Sequence, residues 1–223
     1  MSIEKEILTQ LTAIQKQGND IRLINVYKGF PISFPAKIKS VSSEAVMLSV
    51  HRYQTVCIRY SRDTNIKSPY LKQIIKAAVS YLDFDHNLAV ARDFSYSSAS
   101  IGDRELIRVE PNSTIFVYIS NNIISKGELI NISTYGLGLF LDISSFTPRS
   151  FGVGQKVDLS FEIFPNQNLN IKGIVKNVIF EDNNYRYRLG IYTNPDAAAA
   201  LALSRYIAQR QQQILREIKS EAK

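Results

Sequence analysis

Ile3, Ile7, Leu11 and Ile14 recur at three- and four-residue spacing as far as Gly18, which predicts an amphipathic helix over residues 3–17 with glycine as its stop. From Ile21 to Tyr60 the rhythm changes. Short β-branched and aromatic runs (IRLINVY, PISFPAKIKSV, AVMLSVH, QTVCIRY), separated by Gly, Pro and Ser, each predict an antiparallel strand. Residues 70–82, YLKQIIKAAVSYL, fit a helix leading into a strand, with no residue that marks the boundary. Strands resume in STIFVYI, KGELINI, GLGLFLDI, QKVDLSFEIF, LNIKGIVKNVIF and YRYRLGIYT. The alanines after Asp196 and the run RYIAQRQQQILREIK predict a closing helix. Its apolar stripe of Leu203, Ile207, Ile214 and Ile218 is bordered by Arg205, Arg210, Arg216 and Lys219, so it should pack on a barrel or pair in a dimer.

Laying the two halves together exposes a repeat. AKIKSVSSEAVMLSV (36–50) follows the same apolar rhythm as GELINISTYGLGLFL (127–141), with Ser42 on Ser133 and Ala45 on Gly136. Farther on, AVSYLDFDHNLAVARDF parallels IVKNVIFEDNNYRYRLGI: an apolar strand, an Asp/Asn turn and a returning strand. Two matches in the same order predict a mainly β chain of two small antiparallel barrels in tandem, with N-terminal and C-terminal helices. The Ser-rich stretch SYSSASIGD (95–103) breaks the pattern and is the natural linker, which divides the chain into 1–95, a linker at 96–103, and 104–223.

Composition narrows the function. With 45% hydrophobic and 21% charged residues, the 223-residue chain is that of an ordinary folded protein. Its single cysteine, Cys57, in an apolar run, permits no internal disulfide and reads as a structural thiol. Two histidines, His51 and His86, stand apart without metal-ligand or triad spacing, so neither a metal, a cofactor nor an enzyme is expected; His51 reads as a strand-end residue. The N-terminal mixture of Glu4, Lys5 and Glu6 is unlike a secretory signal, and no window approaches the roughly 20 apolar residues of a membrane span. A cytoplasmic location follows as the expectation. The net charge of +7 favours anionic partners, but no block of like charges says which.

One stretch goes against the strand pattern: NISTYGLGLF (131–140) places Asn131, Ser133, Gly136 and a second glycine where each weakens a sheet. Strand glycines mark a bulge, a bend, or a place where something approaches the backbone. Upstream, DRELIRVEP carries Arg104 and Arg108 four residues apart, and Asn131 follows Arg108 by 23 residues. Alone, the arginine pair fits a solvated helix face and the second motif fits a turn. In order they spell R-x-x-x-R then N-x-S-x-x-G, and here residues 103–195 resemble the PilZ family of bacterial receptors for cyclic di-GMP. YRYRLGI (185–191) looks like that family's closing strand. A preceding β domain with a flexible joint is similar to the YcgR-like subgroup.

The resemblance implies a non-enzymatic receptor with cyclic di-GMP as its ligand, bound by Arg104, Arg108, Asn131, Ser133 and Gly136. It implies that ligand changes the arrangement of the two domains and signals to a protein partner, with flagellar motility as the output. The chemistry suits those residues: a guanidinium forks to phosphate or to the guanine O6/N7 edge and stacks on a base, Asn and Ser hydrogen-bond a base edge, and glycine lets backbone approach. Asp103, where some members carry a further basic residue, points to one ligand per chain. In the first repeat Ser40 stands for Asn131, Ala45 for Gly136, and Ala13 and Gln17 for the arginines, so that half should bind no nucleotide. Two rival readings remain at this level: a PilZ-like adaptor working by protein contacts alone, and a small-barrel nucleic-acid binder, although nucleic acid is not the expected partner. Oligomeric state is open between monomer and homodimer.

Overall fold

The computed structural model describes residues 2–97, 107–121, 123–142, 151–182 and 185–222. Helix α1 (Ile3–Lys16) is capped by Ser2, whose side chain accepts from the Lys5 amide, and the chain leaves it through Gly18 at φ +69°. Ile7, Leu8, Leu11 and Ile14 are its buried face; Ile3 is exposed, so the apolar stripe engages one turn later than it starts. Strands β1 (Ile21–Tyr27), β2 (Phe30–Val41), β3 (Val46–Ser49), β4 (Asp63–Lys67), β5 (Ile75–Asp83) and β6 (Leu88–Tyr96) close into an antiparallel barrel in the order β1-β2-β3-β6-β5-β4. Its core is formed by Leu23, Ile38, Leu48, Ile66, Ile75 and Ala89 together with the α1 face. Burial of that apolar surface is the main driving force.

Two elements differ from the sequence expectation. QTVCIRY, expected as a strand, lies in helix α2 (Arg52–Ser61). β3 and β4 are not neighbours in the ring, so a hairpin cannot join them, and the crossing segment satisfies its own backbone as a helix. The side chain of Asn25 pins it: its amide donates to Ser61 Oγ (3.0 Å) and the Asp63 carbonyl, while its oxygen accepts from Gln54 Nε2 and Thr64 Oγ1 (2.9 Å). His51 is the helix N-cap rather than a strand end, and burial pushes the Cys57 thiol up to about 12, as befits an inert core residue. The 70–82 segment contains no helix; turns at 69–73 lead directly into β5.

The second barrel repeats the first. β7 (Phe116–Asn121), β8 (Ile123–Ser133), β9 (Gly136–Asp142), β10 (Lys156–Phe164), β11 (Gln167–Glu181) and β12 (Arg186–Thr193) close as β7-β8-β9-β12-β11-β10, the same order strand for strand. One irregularity coincides: β2 bulges between Ile38 and Ser40, β8 between Leu129 and Asn131. Mainly β structure in two closed antiparallel barrels, with helices at both chain ends, is the architecture expected from the repeat. Helix α3 (Ala197–Glu221) follows, its first turn capped by Asp196 accepting from the Ala199 amide at 2.8 Å.

By compactness the chain divides into one unit of Met1–Glu105 with Ile214–Lys223, and a second of Leu106–Gln213. Thus the last turns of α3 belong with the first barrel. There Ile214 and Ile218 are buried, Lys28 Nζ meets Glu217 at 2.6 Å, Tyr27 donates to Glu221 at 3.0 Å, and Arg59 pairs with Glu221. Burial, then the Glu221 carboxylate, pushes the Tyr27 phenol well above its usual range.

Candidate functional site

The bulge in β8 decides which way the motif faces. Leu129 pairs with Leu139 toward the core; one residue is then skipped, Asn131 pairs with Gly138, Ile132 with Leu137, and Ser133 with Gly136. Ile132, Leu137 and Leu139 are buried core, so Asn131, Ser133, Gly136 and Gly138 lie on the outer face of the barrel. Ser133 Oγ donates to the Gly136 carbonyl at 3.2 Å and closes the turn between the strands. Ser42 does the same for the Ala45 carbonyl at 3.1 Å in the first barrel. The serine is therefore a shared turn device, and what sets the second barrel apart lies around it.

Following the registers outward gives a row across four strands: Asn131 on β8, Gly138 on β9, Gly190 on β12 and Asn177 on β11. Its centre is backbone only. A Cβ at Gly138 would stand 2.9 Å from Asn131 Oδ1, and one at Gly136 would stand 3.2 Å from Ser133 Oγ. Both glycines thus make room for the polar side chains beside them. In the first barrel the corresponding row is Ser40, Met47, Val90 and Tyr81, so side chains fill the floor that the second leaves open.

The root of the arginine arm is fixed on this wall. Val109 bridges Ile132 in both directions, N to O at 3.0 Å and back at 2.9 Å, which places Arg108 opposite Ser133 in register. Arg108 is exposed, while Val109 is fully buried and anchors the segment. Next to it the Glu110 carbonyl accepts from Arg210 Nε of α3 at 2.8 Å. Arg210 is 3% exposed, so this buried guanidinium holds the arm's base. Arg104 lies outside the described residues. Of the five sequence candidates, then, Asn131, Ser133 and Gly136 meet on one face with Arg108 beside them. Gly138, Gly190 and Arg210 were not singled out by motif; the second glycine of GLGLF and the glycine of YRLGI were the available signals, and Arg210 offered none.

Among the described residues no group of His, Cys, Asp and Glu could hold a metal ion, and no helix is long and apolar enough to cross a membrane. A row of backbone and asparagine side chains with the Arg108 guanidinium at its edge can bind an anion bearing flat bases.

Comparison with known proteins supplies the family. The model of the PilZ domain matches residues 103–209, which include the arm, all six strands of the second barrel and the first part of α3. Residues 103–209 are thus a PilZ domain. An uncharacterized protein of Aquifex aeolicus (strain VF5) is 31% identical over 133 residues, 58% of this chain; the match spans 60% of that relative's length. The solved complex of K. pneumonia MrkH with c-di-GMP covers 96% of both chains with a TM-score of 0.51 at 11% identity, a likeness of fold in both barrels. The structure of YcgR from Escherichia coli in complex with c-di-GMP aligns over 97% of this chain and 94% of its own, with a TM-score of 0.47 at 12% identity. In this chain the PilZ domain contains the second of two barrels with one topology, and Asn131, Ser133 and Gly136 lie on its outer wall.

Proposed function

We propose that the protein is a receptor for cyclic di-GMP, binding one ligand per chain on the outer wall of the PilZ domain through Arg104, Arg108, Asn131, Ser133 and Gly136. The observation that carries this reading is the contrast within one chain: two barrels of identical strand order that share the bulge before Ser40 and Asn131, of which, among the described residues, the second alone has a glycine floor, an asparagine beside it and an arginine anchored at its edge. The arginines close over the ligand from the linker side, each offering charge-assisted hydrogen bonds or a stacking face. Asn131 and Ser133 address a base edge from the barrel. The first barrel, with Met47 and Val90 in the floor, takes no nucleotide and serves as the output surface.

Closure of the arm, in this reading, changes the arrangement of the two units and is passed to a protein partner, with flagellar motility as the controlled process. The protein acts in the bacterial cytoplasm, as a monomer or homodimer, and performs no catalysis. Calorimetric titration with cyclic di-GMP tests the central step. Wild type should bind at one ligand per chain, and Arg104→Ala or Arg108→Ala should each weaken binding about tenfold or more, the worth of a charge-assisted bond of roughly 1.5 to 3 kcal/mol. Equal heats from wild type and both variants would remove the arm from the site. A folded wild type with no heat at all would leave the adaptor reading in its place.

A further inference from the structure

The glycine floor is bounded along β12 by two side chains that share its face. Tyr192 and Arg188 lie two residues on either side of Gly190, and strand alternation turns all three outward. Tyr192 pairs with Gly136, so no side chain of β9 covers its ring from that side; it is 46% exposed, with Lys176 Nζ 5.9 Å from the ring centre. Arg188 pairs with Phe140 and is exposed. Its neighbour Arg186 is engaged, stacked 3.4 Å over the Phe140 ring and bonded to Glu181, whereas no hydrogen bond or ion pair joins the Arg188 guanidinium to any described residue. Among the described residues, then, the Arg188 side chain has no polar partner. In the first barrel the registers put Arg92 and Leu88 at these two positions, so the aromatic–arginine pair, like the glycine floor, belongs to the PilZ domain alone.

We infer that Tyr192 and Arg188 form a clamp for one purine base of the ligand, which enters between them above Gly190 and Gly138. The base stacks on the phenol ring from one side and under the planar guanidinium from the other, with Asn131 and Asn177 at its two edges. Four residues of strand separate the clamp's jaws, about 13 Å between their Cα atoms, which leaves room for a base and a stacking contact on each side. Any side chain on the floor would stand where the base must go, and this accounts for a glycine on each of two adjacent strands. The clamp rests on the reading of this wall as a cyclic di-GMP site and adds to it two residues that neither motif contains.

Titration of the full chain with cyclic di-GMP, for wild type, Tyr192→Ala, Tyr192→Phe, Arg188→Ala and Arg188→Lys, tests it. Tyr192→Ala and Arg188→Ala should each weaken binding by at least about fivefold, the low end for a stacked base. Tyr192→Phe should bind as wild type does. Arg188→Lys should be nearly as weak as Arg188→Ala, because an ammonium keeps the charge and loses the flat stacking face; full rescue by lysine would make the residue a charge contact and overturn the clamp. Should Tyr192→Ala melt early, Tyr192→Leu, which keeps bulk and removes the ring, is read in its place. If wild type binds, Arg108→Ala fails to bind and the Tyr192 and Arg188 variants match wild type, the clamp is refuted while the receptor reading stands. If folded wild type binds nothing, both fall together.

Discussion

The carboxamide of Asn131 occupies the space that a side chain at position 138 would need: a Cβ there would lie 2.9 Å from its oxygen and 3.2 Å from its nitrogen. Gly138 therefore positions Asn131. Because the obstructing atoms are the far end of a side chain, Gly138→Ala should leave the melting temperature nearly unchanged and swing Asn131 aside. Cyclic di-GMP affinity should fall by about 0.5 to 1.5 kcal/mol, as for Asn131→Ala, and the two effects should not add in the double variant. Calorimetry on the four proteins gives the cycle.

Gly190 separates floor from fold more sharply. A Cβ there would meet Asn177 alone, its Cβ at 3.4 Å and its amide nitrogen at 3.9 Å, both ordinary contacts, so Gly190→Val, which copies Val90 of the first barrel, should fold and melt like wild type. It should bind ligand at least about tenfold more weakly, since the branched side chain stands on the floor. Unchanged affinity would place the base elsewhere.

Gly173 marks the opposite case on the inner face. An added Cβ would come within 2.7 Å of Ile191 Cγ2, 3.1 Å of the Tyr192 carbonyl and 3.3 Å of Leu159 Cδ1. Gly173→Ala should destabilise the second unit by about 1 to 3 kcal/mol through overpacking, seen as a lower urea midpoint.

At the end of α3, apolar burial should outweigh the ion pairs. Lys28–Glu217 and Arg59–Glu221 are each about a third to a half exposed, so Glu217→Ala should cost no more than about 1 kcal/mol after solvent screening. Ile218 is 2% exposed, and Ile218→Ala should cost about 2 to 5 kcal/mol. Comparable losses from both variants in denaturant titrations would reverse that ranking.

His51 makes the first unit sensitive to acid. Nδ1 of its ring accepts from the Tyr53 amide at 3.1 Å and the ring stacks on Phe34 at 4.1 Å, so the neutral form is the one the fold uses. Burial, then Arg52, holds its pKa below the ordinary value of about 6.5. A lowered histidine contributes stability that is present above that ordinary value and lost as pH falls through the folded one. His86 runs the other way, raised by its hydrogen bond to Asp83 and losing its contribution as pH rises. The informative measurement is therefore the difference between wild type and His51→Asn, which keeps a neutral cap: wild type should lose more stability between pH 7 and 5. Parallel curves would assign the acid sensitivity to another group.

What could be read from the chain was local or periodic. The α1 stripe with its Gly18 stop, the strand runs, the terminal helix and the doubled pattern of AKIKSVSSEAVMLSV and GELINISTYGLGLFL all report interactions between residues close in sequence, where spacing alone determines which side chains share a face. That is why the paired barrels were legible, and why the arginine and Asn-x-Ser-x-x-Gly motifs could be placed in order. QTVCIRY was misread because a seven-residue apolar run fits both periods; the crossover between non-adjacent strands made it a helix.

The sequence by itself determined the two barrels and the residue types available for an anion carrying bases. Only the tertiary structure decided which of them form a surface: that Gly138 and Gly190 share a row with Asn131 and Asn177, that Arg188 and Tyr192 flank it, that Arg210 holds the arm, and that the last turns of α3 belong with the first barrel. The reason is that strand register and bulge position are set jointly by a closed ring of pairings, and a shift of one residue in any strand would turn its whole outer row into the core.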